Sequence, residues 1–263
     1  MQHSALLNVM IAAARKAART LKRDFGEIEN LQVSLKGPGN FVTAADRKAE
    51  ETLKAELAKA RPGYGFLGEE GGSHTGTDTT HTWIVDPLDG TTNFLHGIPQ
   101  FAISIGLERS GTIVAGVIYN PITDELYVAE RGMGAYLNDK RLRVAARKRL
   151  ADSVIACGLP HLGRGDLKLG LRELGAVQDK VAGLRRFGAA ALDLAFVAAG
   201  RLDGYWERNI SPWDIAAGLI LVREAGGFVT DLDGGDGMNT KKHIVAGNEP
   251  IHRELLKALK PAS

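Results

Sequence analysis

Apolar residues recur at helical spacing at the start of the chain. Leu6, Met10, Ala13, Ala17 and Leu21 share one face, which predicts an amphipathic helix over residues 4–24. Lys36-Gly37-Pro38-Gly39-Asn40 reads as a loop. Thr43 is a good N-cap for a charged amphipathic helix over 44–60, which stops before Pro62-Gly63. The pattern then shortens. Strands are predicted near 64–68 and 82–86, followed by an antiparallel meander over 101–109, 112–119 and 125–129 with Ser110-Gly111 as a tight turn. Helical spacing returns over 166–177 and 188–199, with a strand between them near 181–186. A further strand ends in Tyr205-Trp206-Glu207, and a helix over 212–225 is stopped by Gly226-Gly227. Strands at 228–231 and 243–246 and a helix at 249–260 complete the pattern.

Strands and helices thus come in blocks, not in strict alternation, which favours layered α+β packing over a doubly wound parallel sheet. A division near residues 145–152 would give one domain of two packed halves, about 1–148 and 149–263, with a site in the cleft between them. At 263 residues, 44% hydrophobic and 24% charged, the chain can bury a sizeable core. A net charge of +2 gives no reason to expect nucleic acid as a partner. The lone cysteine, Cys157, cannot form an intrachain disulfide and points to a reducing, cytoplasmic setting. The apolar run Ala5–Ala14 carries its positive charges after it, the reverse of a secretory signal, and no run is long enough to span a bilayer.

The chemistry concentrates in Trp83-Ile84-Val85-Asp86-Pro87-Leu88-Asp89-Gly90-Thr91-Thr92-Asn93-Phe94. An apolar run ending in acids brings two carboxylates to the mouth of a sheet, and carboxylate oxygens suit hard cations such as Mg²⁺. The Gly-Thr-Thr-Asn that follows can open a short helix whose free N–H groups face an anion. Cation ligands beside an anion cradle suggest phosphoryl chemistry. Two further acidic segments flank this one in sequence: Phe66-Leu67-Gly68-Glu69-Glu70-Gly71 upstream, and Trp213-Asp214-Ile215-Ala216-Ala217-Gly218 with Glu224-Ala225-Gly226-Gly227 downstream.

The three segments, in this order, resemble the inositol monophosphatase family, over nearly the whole chain from about Asn40 to Asn248. The resemblance implies a layered α/β/α/β/α sandwich of the kind shared with fructose-1,6-bisphosphatase. It implies hydrolysis of myo-inositol monophosphate by a metal-activated water, with two or three Mg²⁺ ions per subunit, lithium sensitivity and a homodimer. Carried over residue by residue, Glu69, Asp86 and the Leu88 carbonyl would hold a first metal, and Asp86, Asp89 and Asp214 a second. Glu70 would be a secondary acid at a weaker third position. Thr91 would orient the attacking water, and Asp46 would accept the Thr91 hydroxyl proton. Gly90 and Thr91 would cradle the phosphate through backbone N–H groups. Gly188, Ala190, Glu207, Asp89 and Asp214 would line the substrate site, with Glu207 reading ring hydroxyls. Ala189 and Gly71 depart from the commoner family form, which has Ser or Thr at the first position and Ser at the second. These departures bear on substrate choice, not on the reaction.

Other readings of the motifs fit their chemistry less well, and the haloacid-dehalogenase reading stays open as the one that would make Asp231, not Asp89, essential. Phe228-Val229-Thr230-Asp231-Leu232-Asp233-Gly234 resembles the nucleophilic loop of haloacid-dehalogenase phosphatases, but Gly235 stands where Thr or Val is usual and the tail is too short for that family's downstream residues. It also lacks the closing Glu of a calcium loop. Gly132-x-Gly134 lacks a third glycine, and there is neither a His-x-x-x-His pair nor a Gly-x-Ser-x-Gly elbow. Trp213 is expected to be a packing anchor, and Lys36 an exposed loop lysine. The basic run Arg141–Arg149 is expected to be a solvated edge. It keeps open an added role as a binding partner of the transcription machinery, with which some bacterial relatives associate. The alternatives on substrate are fructose-1,6-bisphosphate, histidinol phosphate and 3′-phosphoadenosine nucleotides.

Overall fold

The computed structural model describes residues 3–25, 33–37, 40–161 and 165–260, with the backbone alone for 33–37 and 40–43. The first helix, α1 (Ala5–Phe25), is followed by a two-stranded antiparallel ribbon, β1 (Val33–Gly37) and β2 (Asn40–Thr43), and by α2 (Ala44–Ala60). The ribbon occupies much of what reads as loop in the sequence; Pro38 and Gly39 lie outside the described residues, as do the side chains of Lys36 and Thr43.

An eight-stranded sheet follows: β3 (Tyr64–Gly68), β4 (Gly72–His74), β5 (Asp78–Asp89), β6 (Ala102–Arg109), β7 (Thr112–Asn120), β8 (Glu125–Glu130), β9 (Gly134–Leu137) and β10 (Lys140–Arg141). Its order is β10-β9-β8-β7-β6-β5-β3-β4, antiparallel except for the β3–β5 pair. A short helix, α3 (Thr91–Leu95), leaves the end of β5. The chain then crosses to a five-stranded sheet of order β12-β11-β13-β15-β14. Its strands are β11 (Val154–Cys157), β12 (Gly183–Arg185), β13 (Gly204–Arg208), β14 (Phe228–Thr230) and β15 (His243–Gly247). They are joined by α4 (Leu167–Gln178), α5 (Ala190–Ala198), α6 (Pro212–Glu224), the short α7 (Met238–Lys241) and α8 (Glu249–Leu259).

The burial pattern makes five layers. α1 and α2 cover one face of the large sheet, where Met10, Leu21, Leu53 and Leu57 meet Trp83, Val85, Ile105 and Val117. α5 and α6 fill the middle, packed between Ile118 and Ala129 of the large sheet and Ala156, Tyr205 and Ile244 of the small one. α4 and α8 close the far side, with Val177, Ile251 and Leu255 against Ile155, Trp206 and Val245. Each large apolar side chain removed from water in these layers contributes about 1.5–3 kcal/mol.

The middle layer explains why α6 is apolar all round. Every residue from Ile215 to Val222 is buried, as expected of a helix covered on both sides. It lies close on the large sheet because Gly106 and Gly116 face it. A Cβ at these glycines would come within 2.7 Å of the Ala216 Cβ and 2.8 Å of the Ala217 carbonyl oxygen. At the β6–β7 hairpin, Ser110 and Gly111 both take positive φ, 49° and 76°, the geometry that suits a tight two-residue turn. β4, β9, β10, β11 and α7 are elements without a sequence signal of their own. All are four residues or shorter, too brief for a period to be read, and α7 is a single turn.

Candidate active site

The site forms where several chain ends meet. β5 is longer than its apolar run, reaching through Pro87 to Asp89. Its register against β6 shifts between Asp86 and Asp89, a bulge that lets both acids lie at one strand end. Both are buried. The Asp86 Oδ1 accepts from the Leu88 N–H at 2.9 Å, and the Asp89 Oδ2 accepts from the Ala191 N–H at 2.7 Å, across to the first turn of α5. Burial raises the Asp86 carboxyl well above its ordinary range, reinforced by the charges of Glu69, Asp89 and Asp214. Asp89 is raised in the same way, by burial first and then by Asp214, with Glu207 and Glu69 adding to it. The structure therefore gathers Glu69, Asp86, Asp89, Asp214 and Glu207 into one electrostatic cluster.

Glu69 and Glu70 ride the turn between β3 and β4. Glu50, on α2, holds that turn: its Oε2 accepts from the Glu70 N–H at 2.9 Å and its Oε1 from the Gly71 N–H at 2.6 Å. A Cβ on Gly71 would stand 2.7 Å from that Oε1, so a serine there would need Glu50 to move. Glu70 is not among the main charges acting on Asp86 or Asp89. Asp214 sits in the first turn of α6 and closes a capping box: its Oδ2 accepts from the Ser211 N–H at 2.7 Å. Trp213 beside it is half-buried, and its carbonyl oxygen accepts from the Ser104 hydroxyl at 3.3 Å, docking α6 on β6.

Thr91 opens α3. Its hydroxyl lies 3.1 Å from the Asp46 Oδ1 and 3.1 Å from the Leu88 carbonyl oxygen, so its proton points to one of these and a lone pair is left for a third partner. Asp46 is buried in the first turn of α2. Gly90, the N-cap of α3, has φ 95°, and a Cβ there would also meet the Gln100 carbonyl oxygen at 2.9 Å, so both conformation and space demand glycine. Asn93 joins this turn to the opposite half of the pocket. Its Nδ2 donates to the Gln100 and Phe187 carbonyl oxygens at 2.7 and 2.8 Å, fixing the segment that leads to Gly188, Ala189 and Ala190. Ala189 is the N-cap of α5 and offers no side-chain cap. Glu207 lies near the end of β13; its Oε2 accepts from the Tyr205 hydroxyl, and a Cβ on Gly158 would overlap its carboxyl group.

Glu50, Asn93, Asp193 and Tyr205 are site-shaping residues that the motif reading misses. Glu50 carried a signal. It follows Asp46 by one helical turn, and both acids fall among the buried positions Ala45, Ala49, Leu53 and Leu57 of α2. The other three are recognisable only from packing.

The donor set suits a hard divalent cation: all oxygen, with Asp86 and Asp89 buried and the acids mutually repulsive without a cation. As placed, no three Asp, Glu, His or Cys side chains among the described residues stand so that they could hold an ion together. Asp86, Asp89 and Asp214 each accept from a backbone N–H. The Asp231 loop is a structural turn and not a second acidic site. Its carboxylate accepts from the Asp233, Gly235 and Gly237 N–H groups and is paired with Lys241 at 2.9 Å. The basic run is partly neutralised: Arg147 is paired with buried Asp203 at 2.6 Å and Arg149 with Asp152 at 2.7 Å. Among the described residues no helix is long and apolar enough to cross a membrane.

A layered α+β sandwich that gathers acids at strand and helix ends fits the class of phosphoric monoester hydrolases. The model of the inositol monophosphatase family matches residues 2–262, and the chain belongs to that family. An inositol-1-monophosphatase of Mesorhizobium japonicum is 67% identical over 260 residues, covering 99% of this chain and 98% of the relative. A protein of Pseudomonas aeruginosa named Nus factor SuhB is 42% identical over 260 residues, covering 97% of this chain and 96% of the relative. The crystal structure of the extragenic suppressor protein SuhB of Bartonella henselae superposes with a TM-score of 0.95 at 62% identity, covering 98% of this chain and 99% of that one. The protein is thus a metal-dependent phosphatase of inositol monophosphatase type.

Proposed function

We propose that this enzyme hydrolyses myo-inositol monophosphate at the Asp86–Asp89 strand end, and that the clustering of buried, self-repelling acids there carries the reading. Glu69, Asp86 and the Leu88 carbonyl would hold one Mg²⁺, and Asp86, Asp89 and Asp214 a second, with Glu70 beside a weaker third position. When bound, the metal lowers the pKa of coordinated water and neutralises charge on the phosphate. The residues of the chain do the rest. Thr91 Oγ1, with its proton directed to the Asp46 Oδ1, accepts a hydrogen bond from the attacking water and aims it at phosphorus. Water's proton passes by this route towards Asp46. The Gly90 and Thr91 N–H groups hold the phosphate in line. A new P–O bond forms to the water oxygen as the ester P–O bond breaks; the inositol alkoxide takes a proton from a second water, and the proton held at Asp46 neutralises the hydroxide so formed. Glu207, Asp89 and the backbone of Gly188 and Ala190 would read the ring hydroxyls, in the cleft between the halves 1–148 and 149–263.

The test is phosphate release with Mg²⁺ over inositol-1-phosphate, fructose-1,6-bisphosphate, histidinol phosphate and 3′-phosphoadenosine-5′-phosphate, with and without lithium. Preference for the first with lithium inhibition supports the reading; preference for another keeps the acids and replaces the substrate. A cytoplasmic homodimer is the expected setting, checked by fractionation and light scattering. The relatives named Nus factor SuhB favour a second, additional role, as a binding partner of the transcription machinery. Co-purification of polymerase with a catalytically dead variant tests it.

A further inference from the structure

One buried acid close to Glu207 and Asp89 has no part in the reaction described above. Asp193 lies in the first turn of α5, one turn beyond Ala189 and Ala190, and is 1% exposed. Its Oδ1 has no hydrogen-bond partner. An unsatisfied carboxyl oxygen in the interior is costly, and such costs concentrate at functional sites. Burial raises Asp193 well above the ordinary carboxylate range, and Glu207 is the charged group that acts on it most strongly, followed by Asp89. Glu207 is already bounded by two other neighbours: the Tyr205 hydroxyl donates to its Oε2, and its carboxyl group lies so near Gly158 that no Cβ fits between them.

We propose that Asp193 is a positioning residue for substrate discrimination: it fixes the Glu207 carboxylate toward the pocket, so that Glu207 accepts from a polyol hydroxyl. The proposal rests on Glu207 being the acid that reads ring hydroxyls. Asp193, raised by its burial, donates to Glu207 through a buried water, and Glu207 keeps the acceptor role. Tyr205 and Asp193 then supply two donors to one carboxylate, which removes its rotational freedom at the wall of the site. A neutral donor of the same shape would serve as well as the acid, whereas an apolar residue would not.

The experiment compares kcat and KM on inositol-1-phosphate with those on p-nitrophenyl phosphate, whose leaving group carries no ring hydroxyls to read. The proteins are wild type, Asp193→Asn, Asp193→Ala, Asp193→Leu and Glu207→Gln, with thermal melting in parallel. Asp193→Ala and Asp193→Leu are expected to lose selectivity for the polyol ester by about tenfold, chiefly through KM, with p-nitrophenyl phosphate turnover within about twofold of wild type. Asp193→Asn is expected to keep selectivity, and none of the three to melt unfolded at assay temperature. Full selectivity in the Ala or Leu variant overturns the proposal, as does equal loss in Asn and Ala. If Glu207→Gln itself leaves selectivity intact, the failure belongs to the reading of Glu207; loss in Glu207→Gln with none in Asp193→Leu places the failure on Asp193. Leu fills the space that Ala leaves, so folding failure of one variant still leaves the other to decide.

Discussion

Glu50 is the residue whose removal best tests how the site is held. Its carboxylate makes two hydrogen bonds to backbone N–H groups, of Glu70 at 2.9 Å and Gly71 at 2.6 Å, and it is 5% exposed. A hydrogen bond to a charged group contributes about 1.5–3 kcal/mol. Gly71 is exposed, so water would recover part of that loss when the carboxylate is gone. Glu50→Ala should therefore lower stability by about 2–4 kcal/mol, or about 4–16 °C in Tm for a chain of this size. Glu50→Gln keeps the shape and one acceptor but turns its NH₂ against an N–H donor. It should lose about 1–2 kcal/mol. Because Glu69 rides the same turn, both variants should need more Mg²⁺ for half-maximal activity, while a saturated enzyme recovers most of its kcat. Urea denaturation of metal-free protein and a Mg²⁺ titration of phosphate release read the two effects. A Glu50→Ala variant within about 0.5 kcal/mol of wild type, with an unchanged Mg²⁺ requirement, would refute the argument that α2 holds the β3–β4 turn.

Three other outcomes follow from the same geometry. Asp89→Asn should abolish turnover yet raise the melting temperature of metal-free protein at neutral pH. The folded state holds Asp89 above its ordinary range, so charging it opposes folding, and the Asn oxygen can still accept from Ala191; near-normal activity would sink the metal assignment. Asp231→Asn should keep activity and lose stability. Burial alone would raise the Asp231 carboxyl, but Lys241 and three N–H donors outweigh it and hold the group well below its ordinary value. The stabilisation is therefore complete above the unfolded value of about 4 and lost as pH falls toward the folded value. The gap between wild type and variant in denaturation should accordingly narrow below about pH 4, and an unchanging gap would contradict the assignment. Ala189→Ser should add the missing cap to α5 and stabilise the protein by about 1 kcal/mol, measurable by calorimetry; a fall in Tm would mean that Asp89 and the new hydroxyl compete for the Ala191 N–H.

The long elements and the acids were legible in the chain before any fold was known. The apolar stripe of α1, the meander of β6 to β8, and the stops at Pro62-Gly63 and Gly226-Gly227 each follow from local periodicity and backbone preference. The run that ends in Asp86 and Asp89, and the acids at Glu69 and Asp214, announced a site because carboxylates cluster in sequence motifs only a few residues long. Edge strands such as β4 and β10 carry too few residues for any period, and their existence depends on a neighbour already being in place. The tertiary structure alone decided what surrounds the acids. Glu50 reaches a turn twenty residues away, Asn93 bridges to Phe187, and Ala191 offers its N–H to Asp89 across more than a hundred residues. Asp193 reads in the sequence as one more helix residue, and its burial beside Glu207 exists only once α5 is pressed between two sheets. Local patterning selects elements and donors because those are set by neighbours along the chain. Charge coupling and pocket shape are set by neighbours in space.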